Sequence, residues 1–200
     1  MQKNVALIRT VRETVGAEVD IMADAYMGWN LDYARRMLPL LEPFHLRWLE
    51  EPVIPDDIHG YAELRRAGRI PIAGGEHEHT IFGFRELIAA RAVDYIQFDT
   101  NRVGGLTQAR KIAALAEAHQ IPVIPHAGQM HNYHVVMASL NSPMAEFFPP
   151  VDVEVGNELF WHIFKGEPLP KDGSIDLDEK TPGLGLTVDE EGLKRFEVVG

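Results

Sequence analysis

Short apolar runs alternate with longer amphipathic stretches along most of this chain. Residues 19–24 form a compact apolar run that predicts a buried strand. Leu31–Leu41 follows with apolar positions at helical spacing, and Asn30 is its expected N-cap. Residues 46–51 predict the next strand, ended by Pro52, and residues 56–67 a helix closed by Gly68. The cycle repeats with strands at 70–74, 93–98, 121–125 and 144–148. Helices are predicted near 82–90, 106–118 and 133–140, with one more at the front over 3–15.

Six strand–helix steps at intervals of about 20–27 residues imply an α/β protein with a parallel sheet. Nearly uniform steps without a Gly-rich phosphate loop favour a closed barrel over a doubly wound sheet. A full barrel of this kind has eight strands. The expectation is therefore a (β/α)-barrel present only in part, about strands 3 to 8, in a chain that begins inside a helix. Residues 1–164 are assigned to this partial catalytic barrel. The composition changes after Pro150, and 165–200 is rich in Gly, Pro and charge, as expected of an extended tail packed on the barrel or on a missing neighbouring domain.

A polar residue closes each predicted strand: Asp24, Glu50, Glu76, Asp99, His126 and Glu146. In a parallel barrel the strand C-termini open on one face, so these side chains are expected around one mouth. Asp24, Glu50 and Glu76 recur at intervals of 26 residues. Taken singly, each reads most simply as a solvated loop carboxylate. Together they would repel unless a cation joined them, and all-oxygen ligands point to Mg²⁺ rather than Zn²⁺. Asp99 beside His126 would fix one imidazole tautomer and make a general base, although a lone His in a turn is often structural. Glu146, between apolar neighbours, is either a carboxyl held protonated as a donor or a salt-bridged core residue.

The net charge of −11, from 30 acidic and 19 basic residues, excludes a nucleic-acid partner of the usual basic kind. It accords with a metal site, and equally with an acidic surface. The absence of cysteine removes disulfides, thiolate zinc and Cys nucleophiles. No apolar run approaches a membrane span and the first ten residues carry no signal pattern, so no membrane partner and a cytoplasmic location are expected.

At these residues the chain resembles the mandelate racemase subgroup of the enolase superfamily, over about residues 1–165. The motifs are Ile-Met-Ala-Asp24-Ala-Tyr, Trp-Leu-Glu50-Glu-Pro, Ala-Gly-Gly-Glu76-His-Glu, Ile-Gln-Phe-Asp99-Thr with Gly104-Gly-Leu-Thr, and Ile-Pro-His126-Ala-Gly. The resemblance implies that Asp24, Glu50 and Glu76 bind Mg²⁺, that Asp99 and His126 form the catalytic dyad, and that Glu146 contacts substrate. Gly-Gly-Glu-His-Glu, Tyr133-His134 and Met-Ala-Glu-Phe-Phe are most similar to acid-sugar dehydratases of the L-rhamnonate dehydratase type. That implies a sugar-acid substrate whose C2 proton is taken by His126, an enediolate stabilised by the metal, and loss of the 3-hydroxyl to give a 2-keto-3-deoxy acid. His126 also serves as the acid in this scheme. The resemblance further implies a homo-oligomer and a capping domain that this chain lacks, from which poor activity of the chain by itself is expected.

Three other readings stay open at this stage. His77 and His79 form a His-x-His pair that would suit a zinc hydrolase, but only His126 is placed to join them. A racemase or epimerase would use the same metal and dyad with a second base. A non-catalytic metal-binding fragment would show no substrate chemistry at all. His77 is expected at the mouth, and His131 and His134 as substrate contacts, against the plainer reading of packed loop histidines. Trp29 and Trp48 read as core.

Overall fold

In the computed structural model, which describes residues 1–149 and 158–197, helix α1 (Gln2–Val15) leads into a parallel sheet. The sheet comprises β1 (Met22–Asp24), β2 (Trp48–Glu50), β3 (Ile72–Gly74) and β4 (Tyr95–Ile96), in that order. Helices α2 (Leu31–Leu41), α3 (Ile58–Arg66), α4 (Thr80–Ala89) and α5 (Leu106–Ala118) follow the four strands in turn, and α6 (Met130–Met137) comes next. Such strand–helix alternation in parallel register is the repeating unit of a (β/α)-barrel.

The helices form where the apolar spacing put them. Ala34, Met37, Leu38 and Leu41 are buried on one face of α2, and Asn30 caps it by accepting from the Tyr33 N–H. In α5 the same spacing buries Ala109, Ile112, Ala113 and Ala116. Gly68, in the left-handed region, donates its N–H to Arg65 and stops the chain after α3. Arg12 anchors α1 by donating to the carbonyls of Gly16, Val19, Phe44 and His45.

The strands bury both faces, as parallel strands do. Leu49, Ile72 and Ile96 face the helices in the main core. Trp48, Ala73 and Ile124 form a smaller cluster, with Tyr95 and Met144 against it, on the opposite face. This second face carries the site.

The predicted strands are longer than the ladders that form. Residues 121–125 make only an isolated parallel bridge, Ile96 with Val123, although Ile124 and His126 donate to Ile96 and Phe98. Pro122 and Pro125 lack the N–H groups that a longer ladder needs. Residues 144–148 form no strand; Asn141 and Ser142 instead bond to Val123 and its neighbours. Helix α6 starts at Met130, three residues before the expected position, with Gln129 at its N-cap.

Near the end of the chain, α7 (Glu158–Ile163) precedes a small antiparallel pair, β5 (Phe164–Lys165) with β6 (Thr187–Val188), and then α8 (Glu190–Lys194). The composition change at Pro150 and residues 198–200 of the expected tail lie outside the described residues. Among the described residues no helix is long and apolar enough to cross a membrane.

Candidate active site

Side chains alternate along a strand, so the face that carries Trp48 also carries Glu50, and the face that carries Tyr95 also carries Gln97 and Asp99. Register sets Asp24 level with Glu50 across β1 and β2. Ile124 and His126 continue the same parity. Glu76 breaks it: Ala73 faces inward, so an unbroken strand would turn Glu76 toward the helices. Gly75 adopts φ 120°, open in practice to glycine, and reverses the chain direction there. A Cβ at this position would lie 3.0 Å from the Phe84 ring.

The result is a cavity of about 640 Å³ lined by Asp24, Glu50, Glu76, Gln97, Arg102, His126 and Glu146, with Tyr26, Trp48 and Phe148 among its apolar walls. Five of the six strand-end residues expected at one mouth line it, and the sixth, Asp99, stands behind His126. The His126 Nδ1 is 3.0 Å from Asp99 Oδ2, and its Nε2 is 3.4 Å from Glu76 Oε2. Asp99 also accepts from the Asn101 N–H. Asn132 donates to the His126 carbonyl at 2.7 Å and so fixes the loop that carries the ring.

The electrostatics follow from burial opposed by pairing. Burial alone would lift the Asp99 carboxyl, but the His126 hydrogen bond, the Asn101 N–H and the nearby Arg102 charge outweigh it and hold it low. Burial would lower His126, yet Asp99, Glu76 and Glu146 raise it. Burial pushes Glu50 up to about 7 despite hydrogen bonds from Gln97 and Trp48, with Asp24 and Glu146 adding repulsion. Glu146 is likewise raised, chiefly by burial, while its Oε2 accepts from the Ala127 N–H at 2.7 Å.

This donor set fits a hard dication. It is built of carboxylate oxygens without thiolates, and repulsion from Asp24 and Glu146 adds to the burial that lifts Glu50, which a bound dication would offset. The tightest cluster of ligand atoms differs from the expected trio. Glu51, Glu76 and His77 each present an atom within 4.8 Å of the others, so Glu76 belongs to both sets.

The expected substrate histidines separate. His77 stands next to the cavity, bonded to Glu51 and 3.5 Å from Glu76. His131 lies in a second, more apolar cavity with Phe160, Phe164 and Leu186, and His134 faces the Leu184 carbonyl. Burial lowers His131. His79 sits at the start of α4 and faces the Arg102 carbonyl.

Sequence reading missed Arg102, which donates to the Glu76 carboxylate at 3.1 Å and lies 3.5 Å from Asp99. Its position three residues after a strand-end Asp was the available signal. Trp48 is core, as expected, but also donates to Glu50 at 3.0 Å.

The sequence profile of the family described as Enolase C-terminal domain-like matches residues 1–192. The chain is 41% identical over 197 residues to an L-rhamnonate dehydratase of Saccharopolyspora erythraea, covering 96% of this chain and 50% of that protein. Its fold is similar to the crystal structure of L-rhamnonate dehydratase from Gibberella zeae, with a TM-score of 0.87 and 35% identity, over 100% of this chain and 53% of that one. It is also similar to L-talarate dehydratase from Polaromonas sp. JS666 complexed with Mg and L-glucarate. There the TM-score is 0.86 and the identity 34%, over 96% of this chain and 51% of the other. The chain thus spans about half the length of the relatives it matches.

Proposed function

Because the chain belongs to the enolase C-terminal domain-like family, we propose that it carries the proton-abstracting site of a Mg²⁺-dependent acid-sugar dehydratase, with a rhamnonate-like sugar acid as substrate. The observation that carries this reading is the Asp99–His126 pair, 3.0 Å apart, set at the wall of a cavity that also holds Asp24, Glu50 and Glu76. The named dehydratase relatives narrow the substrate class to sugar acids.

In this proposal Asp24, Glu50 and Glu76 hold the cation. Bound there, Mg²⁺ would supply positive charge to offset the negative charge that develops on the substrate. Asp99 keeps the His126 proton on Nδ1, which leaves the Nε2 lone pair to take the proton from C2. The electron pair of the broken C–H bond moves onto the substrate carboxylate as an enediolate, and then returns to form the C2–C3 double bond as the C3–O bond breaks. His126 then returns its proton to the departing hydroxyl, which leaves as water, and the enol product loses its 2-hydroxyl proton as it takes one at C3 to become the 2-keto-3-deoxy acid.

Glu146, lifted by burial, is suited to stay protonated and donate to a substrate oxygen, while its other oxygen is occupied by the Ala127 N–H. Arg102 offsets the charge of Glu76 and Asp99 and holds both carboxylates in place. The described part of the tail, residues 165–197, would brace the partial barrel or a cap domain. Glu167, for example, accepts from the Met130 N–H at the start of α6.

The test is formation of a keto acid from L-rhamnonate and other sugar acids. It would be run with the chain alone and with the chain joined to the N-terminal half of a full-length dehydratase, each with Mg²⁺ or with a chelator. Mg²⁺-dependent product that falls by about 10²–10⁴-fold in His126→Asn is the expected result. Turnover that survives both chelation and that substitution would end the proposal.

A further inference from the structure

Glu51 directly follows β2 and takes no part in the proposed proton abstraction. Its backbone lies at φ 37°, a left-handed conformation that costs a non-glycine residue about 1–3 kcal/mol. Its carboxylate is 1% exposed, and a buried charge persists only when it is paired.

Both Glu51 oxygens face one atom. The His77 Nδ1 lies 2.9 Å from Oε2 and 3.1 Å from Oε1, and Glu76 Oε1 is a third carboxylate oxygen at 3.5 Å. A carboxylate only accepts, so a ring nitrogen facing three such oxygens is the one that carries the proton. In the neutral ring the lone pair then sits on Nε2. His77 packs its edge near Tyr26, with ring centroids 6.0 Å apart, and Tyr26 and Glu76 both line the cavity.

We propose that Glu51 is a positioning residue that holds His77 as its Nδ1–H tautomer, so that Nε2 accepts a hydrogen bond from a hydroxyl of the substrate. The ligand part rests on the sugar-acid reading; the tautomer rests on these distances alone. Glu76 thereby stands between two carboxylate–imidazole pairs, Asp99–His126 on one oxygen and Glu51–His77 on the other. The first pair presents a base, and the second presents a fixed acceptor that sorts substrates by the hydroxyl they offer. The competing use of the same atoms is a cation held by Glu51, Glu76 and His77, which lie close enough for it. That use needs the Nδ1 lone pair and so requires the opposite tautomer.

Histidine ring nitrogens of the 200-residue chain, ¹⁵N-labelled, report the tautomer directly in two-bond nitrogen–proton correlation spectra, with His77→Gln assigning the ring. The expected spectrum has His77 protonated at Nδ1 and unprotonated at Nε2, unchanged by Mg²⁺. Glu51→Gln, whose amide can donate as well as accept, should give mixed tautomers while circular dichroism stays that of the wild type. With Mg²⁺ present, L-rhamnonate should move the Nε2 resonance, and Glu51→Gln should weaken that binding roughly tenfold, the scale of one hydrogen bond.

A proton on Nε2 instead, loss of the Nδ1 proton on adding Mg²⁺, or a Glu51→Gln spectrum like the wild type would overturn the positioning role. An Nε2 resonance indifferent to L-rhamnonate would overturn the substrate contact. None of these readouts needs turnover, so they fail separately from the dehydratase reading.

Discussion

His126 is held between opposed influences, and the balance can be measured. Burial favours the neutral ring, while Asp99, Glu76 and Glu146 favour the cation strongly enough to lift it above its ordinary 6.5. A raised folded pKa means that this pairing stabilises the fold fully below 6.5, and the contribution is lost as pH rises through the folded value. In the metal-free chain the His126 ring protons should therefore titrate with a midpoint above 6.5. Asp99→Asn should bring the midpoint down, because it removes the strongest of the partners that raise it. Added Mg²⁺ should also lower it, since a dication beside Glu76 opposes the imidazolium. A midpoint indifferent to both changes would show that the pairing is not what sets it.

At the scale of elements, the site depends on how strands are tied to one another and where they stop. Asp94 opens β4 and accepts twice, from the Ile72 N–H at 2.9 Å and from Arg65 at 2.7 Å, so one carboxylate joins β3, β4 and the end of α3. Asp94→Ala leaves a strand N–H without its acceptor and should cost about 1–3 kcal/mol in urea unfolding. Gly75 has a different task, since its φ of 120° is what brings Glu76 to the cavity side. Gly75→Ala must either clash with Phe84 or rebuild the turn. The expected outcome is a loss of about 1–3 kcal/mol or more, together with weakened Mg²⁺ binding by calorimetry. Weakened stability with unchanged Mg²⁺ affinity would separate Glu76 from the cation site.

For the molecule as a whole, one face of a curved sheet gathers carboxylates from separate strands, and the fold bears their repulsion. Glu50 shows the effect most directly, lifted from 4.5 to about 7 by burial first and by Asp24 and Glu146 after it. A carboxyl raised on folding stabilises the fold below its unfolded value and stops doing so as pH climbs through about 7. Mg²⁺ should therefore raise the unfolding temperature much more at pH 8, where these groups must ionise, than at pH 5. Thermal scans at the two pH values with and without Mg²⁺ decide this, and an equal gain at both would count against a carboxylate-held cation.

The sequence alone determined the local order. Helical spacing placed α2 and α5 at their observed limits, and position at the strand ends named Asp24, Glu50, Glu76, Asp99, His126 and Glu146 as residues of one mouth. Such patterns are legible because both depend on neighbours a few positions away. Tertiary structure decided what neighbours cannot encode. Prolines at 122 and 125 limited a strand to a single bridge, the Gly75 turn brought Glu76 inward, and Arg102 and Glu51 found partners about 26 residues distant. His131 and His134, close in sequence to His126, were carried elsewhere by the rotation of α6. Register, backbone handedness at the loops and helix rotation are set by packing across elements, and so they appear only once the chain has closed on itself.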